Sequence, residues 1–368
     1  MRFFEHEHYL EDVAQVAEQL LPWEKMQGKS VFISGGTGLI GSFLIDVLMR
    51  RNIDWKMNCH IYMLGRDEKK AQKRFGHYWH DGFFHFILHD INRPLVIEGV
   101  KSADYVIHLA SNTHPVKYAS DPIGTIVANI IGLQHMLEFA WEHQAVRAAF
   151  ASSNEVYGEN RGDTELFNES YCGYIDSNTM RAGYPESKRC GEALCQAYIQ
   201  QKNMDIVIPR FTRSYGPTML HDDTKAISQF IRNAVDGKDI VLKSQGYQYY
   251  SYTYVADAVS GFLAILLCGR KGEAYNIADC ASDIMLKDLA EIIAGTAGKR
   301  VVFEIPDAAE ARGYSTATKA RLNGNKLQKL GWNARYDIKT GVKRTIDILK
   351  CENKNGQVLY GTNLQNIG

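Results

Sequence analysis

Tyr184 and Lys188 stand four residues apart in GYPESKRCGEAL, and Pro185 between them suits the first turn of a helix. That spacing is expected to put both side chains on one helical face. A phenol with an ordinary pKa of about 10 acts as a base at neutral pH only beside positive charge, which an ammonium one turn away would supply. Upstream, AAFASSNEVYG ends a predicted strand at Ser153, whose hydroxyl can hold the same substrate oxygen. The three groups together suit proton removal from an alcohol. The tyrosine and lysine alone recur in many helices by chance, so the reading depends on what accompanies them.

An oxidant is indicated by SVFISGGTGLIGSFLIDVLMRR, where Gly35, Gly38 and Gly41 lie between a short apolar run and an amphipathic one. Glycines at that spacing allow a tight turn, close backbone approach to a pyrophosphate and close packing of helix on strand. A dinucleotide site follows as the expectation, with Thr37, Leu39 and Ile40 completing the turn. An acid at the end of the second strand would bind a ribose 2′-hydroxyl, but this chain has Gly65 and Arg66 there, with Asp67 late. The guanidinium leans toward a 2′-phosphate, so the cofactor is left as NAD or NADP, tightly bound. Asp90 and Ile91 after the next strand, and Leu109, Ala110 and Ser111 in HLAS, are expected along the nucleotide.

These residues need a sheet to position them. VFIS (31–34), HIYML (60–64), FHFIL (84–88), YVIHLA (105–110), AAFASS (148–153) and DIVIPR (205–210) are continuous apolar runs, separated by helical stretches such as 39–50, 122–143 and 185–202. Strands of that kind spaced by helices predict a parallel sheet covered on both faces. Residues 1–27 read as a helical packing arm, with apolar residues from Tyr9 to Leu21 and an end at Pro22. After residue 211 a looser pattern predicts a short strand near GRKGEAYNIAD, a helix at 284–296, strand VVFEI, a loop near Pro306, and helices around 323–330 and 338–350.

Forty-two basic and forty-two acidic residues cancel, so no overall field draws the chain to nucleic acid or anionic lipid. Seven scattered cysteines without a C-x-x-C pair argue against disulfide frameworks and zinc ribbons. The histidines show no H-E-x-x-H spacing, and no metal is expected. The first residues carry acids where a secretory signal needs bases, and the longest compact apolar run, Gly261 to Cys268, is far short of the roughly 20 residues of a membrane span. A cytoplasmic protein without membrane attachment is the expectation.

With GGTGLIGS, HLAS, the N-x-x-G-L-x-x-M-L run from Asn129 to Leu137, SSNEVYGE, YPESK, RSYGP, YTYVADAV and the late LGW in hand, the chain resembles the extended short-chain dehydrogenase/reductase superfamily. The likeness spans roughly residues 28 to 350 and is to its NAD-dependent nucleotide-sugar epimerases, dehydratases and decarboxylases. It implies an α/β fold: a Rossmann-type doubly wound parallel sheet with a smaller C-terminal mixed α/β substrate lobe. Residues 1–27 are expected as a helical arm, 28–210 as the dinucleotide domain, and 211–368 as the substrate lobe, partly interleaved with the first.

The same resemblance implies Tyr184 as the base on a sugar C4 hydroxyl, Lys188 lowering the phenol pKa and holding the cofactor ribose, and Ser153 polarising the forming ketone. Asn129 would join the cofactor residues, and a 4-keto sugar would be the intermediate. Glu155 beside the ketone favours 4,6-dehydratase or decarboxylase chemistry over 4-epimerisation. Asn154, where dehydratases carry an acid, disfavours the dehydratase route. Similar enzymes grip the diphosphate with an arginine where this chain has Tyr250, and Arg213 stands where they carry an asparagine, so Arg213 is expected to supply the missing charge. His114 is expected among the substrate contacts. A nucleotide-diphosphate sugar as substrate and a homodimer through two long helices complete the expectations. The runners-up are a 4-epimerase, a net reductase favoured if Arg66 selects NADP, and, from another class, a non-catalytic dinucleotide sensor.

Overall fold

The computed structural model describes residues 2–97, 99–100, 102–113, 115–304 and 318–355. The runs expected as strands form β1 (Ser30–Ser34), β2 (His60–Gly65), β3 (Phe84–Leu88), β4 (Tyr105–His108), β5 (Arg147–Phe150), the two-residue β6 (Ser152–Ser153) and β7 (Ile206–Phe211). Every residue of β1 and β4 is buried, as a strand covered on both faces requires. All pair in parallel, in the spatial order β3, β2, β1, β4, β5, β7, with β6 also on β7. The strand order reverses between β1 and β4, and the crevice at such a switch point, beyond the strands' carboxyl ends, is where doubly wound sheets bind ligands.

Helices cover the two faces. Leu39–Trp55 and the almost wholly apolar Val255–Cys268 share one core with β1. Leu133–Glu142 and Gly183–Lys202 share the other. Gly191 lets the latter helix sit against the sheet, since a Cβ there would meet the Phe150 ring at 2.5 Å. That approach brings the first turns of the helix, with Tyr184 and Lys188, to the ends of β5 and β6. The helix Pro122–Glu142 passes through a π-helical turn at Ala128–Gly132. It is long and apolar enough to cross a membrane, a length that compact apolar runs in the sequence do not reveal. In this fold a large part of that helix is buried inside the protein.

Beyond β7 come β8 (Arg213–Tyr215), β9 (Ile240–Leu242), β10 (Tyr249–Tyr254), β11 (Ala274–Ile277), β12 (Asp283–Met285), β13 (Val301–Phe303) and β14 (Lys319–Ala320). β11 returns to the large sheet as the outer neighbour of β7. β10 is the middle of a small sheet, with β12 antiparallel to it and β14 and β8 parallel. Tyrosines alternate along residues 247–254 as in a strand with one exposed face, yet Tyr250 through Tyr254 are all buried, because neighbours and helices enclose β10. Tyr247, before the strand, is exposed. The loop expected near Pro306 lies outside the described residues.

The N-terminal helix Glu7–Ala17 packs across both parts of the chain. Asp12, fully buried, accepts hydrogen bonds from Tyr254 (2.6 Å) and Tyr336 (2.7 Å) and pairs with Arg344 (2.9 Å). Tyr9 donates to Asp46 of the helix Leu39–Trp55, and Arg74 pairs with the same carboxylate.

Candidate active site

A cavity of about 1010 Å³ opens along the carboxyl ends of the parallel strands. Each strand delivers its next residues to the wall. After β1 come Gly35, Thr37, Gly38, Leu39, Ile40 and Gly41; after β2, Arg66; after β3, Asp90 and Ile91; after β4, Leu109, Ala110 and Ser111. Gly35 has φ +75°, and a Cβ there would lie 2.7 Å from the Ala110 nitrogen, so only glycine lets the first turn fold against the end of β4. The helix Leu39–Trp55 starts at Gly38 with no side-chain cap and no acid in its first turn. Its leading backbone N–H groups are left to an incoming anion, a cradle that fits a dinucleotide pyrophosphate. Arg66 is exposed at the rim. Asp67 is spent elsewhere, accepting from the Lys70 N–H as the cap of Glu68–Phe75. Asp90 also closes its own turn by accepting from Asn92 N–H at 3.0 Å.

Farther along the same cavity lie Ser153, Asn154, Glu155, Tyr184 and Lys188. Ser153, Tyr184 and Lys188 are all buried. Burial pushes the Tyr184 phenol above its ordinary value, while a hydrogen bond with Ser153 and the charge of Arg181 pull it down. Lys188 Nζ donates to the Ala151 carbonyl at 2.8 Å and sits 5.8 Å from the Tyr184 ring centre. Burial lowers the Lys188 ammonium to about 7, partly opposed by Glu192 on the next turn. Hydroxyl, phenol and amine thus converge on one wall, the arrangement needed to hold an alcohol oxygen and remove its proton.

Glu155 reaches the cavity but is not alone. Arg181 Nη2 lies 3.3 and 3.2 Å from its two carboxylate oxygens. The Arg181 guanidinium also rests 5.1 Å from the Tyr118 ring centre, and that ring stacks on Tyr184 at 5.1 Å and 27°. Burial raises the Tyr118 phenol to about 12. At the lobe side, the β8 to β10 pairing sets Arg213 opposite Tyr252, and its guanidinium lies 3.5 Å from the Tyr250 ring centre. A cation therefore occupies the space beside Tyr250, contributed by the neighbouring strand.

One expected contact is misplaced. Asn129 does not line the cavity; it is fully buried in the π-helical turn, with its amide nitrogen donating to Ser187 Oγ at 2.9 Å. That bond ties the helix Pro122–Glu142 to the helix bearing Tyr184, so Asn129 bears on the site through packing. His114 lies outside the described residues. Arg181 and Tyr118 line the cavity and were not singled out from the sequence. The only available signal was Arg181 standing three residues before Tyr184, one helical turn back. Among the described residues, no three His, Cys, Asp or Glu side chains gather as metal ligands would.

A model of the family described as "NAD dependent epimerase/dehydratase" matches residues 31–278. UDP-glucuronic acid decarboxylase 1 of Xenopus tropicalis is 30% identical over 328 residues, covering 88% of this chain and 73% of the relative. UDP-glucuronic acid decarboxylase 5 of Arabidopsis thaliana is 31% identical over 315 residues, covering 85% and 86%. Among solved structures, a dTDP-glucose 4,6-dehydratase from Bacillus anthracis in complex with NAD is similar with a TM-score of 0.74 and 20% identity, covering 89% of this chain and 98% of that one. A UDP-glucuronic acid 4-epimerase from Bacillus cereus, in complex with UDP-glucuronic acid and NAD, gives 0.75 and 20%, covering 88% and 99%. These two share the doubly wound fold described above.

Proposed function

The chain belongs to the NAD-dependent epimerase/dehydratase family, and from that footing we propose that it is an NAD-dependent nucleotide-sugar enzyme that oxidises the sugar at C4 and decarboxylates a uronic acid. The observation that carries the reading is the convergence of Ser153, Tyr184 and Lys188 on one cavity wall beside the glycine cradle. The substrate class is supported by decarboxylases of UDP-glucuronic acid among the relatives.

A bound dinucleotide would be held by Gly35 through Gly41, Arg66, Asp90, Ile91 and Leu109 through Ser111, with Lys188 lining the same cavity. When bound, NAD supplies a reversible acceptor for the C4 hydride. Ser153 holds the C4 oxygen and Tyr184 takes its proton. Oxidation at C4 makes the C6 carboxylate that of a β-keto acid, so breaking the C5 to C6 bond releases carbon dioxide and leaves its electron pair as an enolate on the C4 oxygen. Ser153 and the now protonated Tyr184 are the donors that stabilise that oxygen. A solvent-derived proton then adds to C5 in place of the departed carboxylate, and Tyr184 gives its proton back to the C4 oxygen as that carbon is reduced again. Asn154 supports this branch over dehydration, because an amide cannot protonate a departing C6 hydroxyl. Arg213 answers the diphosphate charge. The sensor reading has no need for a buried phenol, serine and amine in one place.

We extend the proposal to assembly and location. The helix Pro122–Glu142 exposes Ile123, Ile126, Ile131 and Trp141, a surface suited to pairing two copies into a homodimer. All seven cysteines are unpaired, in keeping with a reducing cytoplasm. Residues 28–210 with β11 form the dinucleotide part, and the remainder after 211 the substrate part.

The test is to denature purified protein, identify the released dinucleotide, and weigh products after incubation with UDP-glucuronate, UDP-glucose and dTDP-glucose. Co-purifying NAD and loss of carbon dioxide from the uronate are expected. Loss of water from a neutral hexose, with the uronate untouched, would replace the decarboxylase reading by the dehydratase one.

A further inference from the structure

Two arginines on the cavity wall hold a nitrogen in reserve. Nη1 of Arg181 and Nη1 of Arg213 are both buried without a hydrogen-bond partner among the described residues. An N–H group kept from water with no acceptor is costly unless something fills the place. The proposed substrate carries two anionic groups, a diphosphate and a C6 carboxylate. The positions of the two guanidiniums tell them apart. Arg213 is on the lobe side, against Tyr250 of β10. Arg181 is built into the proton-transfer corner: it precedes Tyr184 in the 3-10 turn Met180–Ala182, lies over Tyr118, which stacks on Tyr184, and holds Glu155 through Nη2 alone.

We propose that Arg181 selects a uronic acid over a neutral hexose, its Nη1 taking the sugar C6 carboxylate while Nη2 stays on Glu155. The inference rests on the uronate reading above and names the residue that enforces it. In a pyranose, C6 hangs on C5, next to the C4 carbon whose oxygen faces Ser153 and Tyr184, so a group reading C6 must stand beside that pair. A guanidinium fork can serve two carboxylates at once, one on each terminal nitrogen. The contact acts on binding more than on rate: as the C5 to C6 bond breaks, the carboxylate charge drains toward the C4 oxygen and the ion pair weakens. Interactions stronger in the ground state than in the transition state lower KM without raising kcat.

The test compares Arg181→Gln, Arg181→Lys and Arg213→Gln with the unaltered enzyme. It reads KM and kcat for UDP-glucuronate decarboxylation, the affinity for UDP-glucose by competition, and co-purifying dinucleotide with melting temperature as a folding control. For Arg181→Gln the expected result is a rise in uronate KM of about 10- to 100-fold with a smaller change in kcat, and UDP-glucose affinity within about threefold of the unaltered enzyme. Arg181→Lys is expected to recover part of the loss, and Arg213→Gln to weaken both ligands alike. Equal weakening of both ligands by Arg181→Gln, or an unchanged uronate KM, overturns the assignment while leaving the decarboxylase reading intact. An unaltered enzyme that binds UDP-glucose but neither binds nor decarboxylates UDP-glucuronate overturns both.

Discussion

Glu192 receives both prongs of the Arg210 guanidinium, Nε on Oε1 at 2.8 Å and Nη2 on Oε2 at 2.6 Å, one helical turn beyond Lys188. The Ser152 hydroxyl, next to Ser153, donates to the same carboxylate. Arg210 in turn donates to Tyr157 Oη at 2.9 Å. A bidentate pair this enclosed fixes the carboxylate behind the lysine, where its charge favours the ammonium. Glu192→Gln is expected to cost about 3 kcal/mol of stability, because Arg210 is left buried with half its partner. It also lowers the Lys188 pKa below about 7. The limb of the kcat/KM profile on which rate falls as the ammonium loses its proton should then move to lower pH. A pH profile superimposable on that of the unaltered enzyme refutes this positioning role.

Tyr184→Phe keeps the ring that stacks on Tyr118 and removes only the proton acceptor. Turnover should fall by about 10²- to 10⁴-fold with cofactor occupancy unchanged, measured on steady-state rates and on dinucleotide released by denaturation. Undiminished turnover would show that another group takes the proton.

Glu155→Gln acts after the ketone forms. Stopped-flow absorbance should still show transient reduction of the bound dinucleotide, while carbon dioxide release slows by an order of magnitude or more. Should the reduction itself vanish, Glu155 serves C4 oxidation and has no separate part in the later step.

His108 offers a stability test. Its Nε2 donates to the Ala128 carbonyl at 3.1 Å and its Nδ1 accepts from Ser34 at 2.9 Å, the pattern of a neutral ring. Burial, with the Lys188 charge adding to it, lowers the imidazole from 6.5 to about 3. Below pH 6.5 the unfolded chain takes up a proton that the folded one refuses, so stability declines as pH falls from 6.5 toward 3, by up to about 1.4 kcal/mol per pH unit. Urea melts across that window should steepen accordingly, and His108→Gln should flatten the dependence. An equal slope in both proteins would exclude His108 as its source.

The large sheet was legible because each of its strands is an uninterrupted apolar run, and the crevice followed from where those runs end. Five of the six expected runs differ from the observed strands by no more than two residues at either end; AAFASS splits into β5 and β6 at Ala151. The Ser153, Tyr184 and Lys188 grouping was legible because local spacing along a helix fixes which side chains share a face. What the sequence hid depends on contacts between distant segments. Arg181 meets a carboxylate 26 residues upstream, and no periodicity announces that pairing. Arg213 fills the space beside Tyr250 only because β8 pairs with β10. Asn129 was placed by its motif on the right helix, but the motif does not say which way the π-helical turn points it.

Asp12 carries a consequence for biosynthesis. It leaves the ribosome well before Tyr254, and longer still before Tyr336 and Arg344, whose phenols and guanidinium satisfy it. The helix Glu7–Ala17 therefore cannot complete its docking until residue 344 has emerged, and a chain halted between residues 254 and 336 carries an interior acid stripped of two of its three partners. Nascent chains of that kind are natural clients for chaperones and proteases, so quality control can distinguish a chain that has passed residue 344 from one broken before it by a carboxylate far from the break.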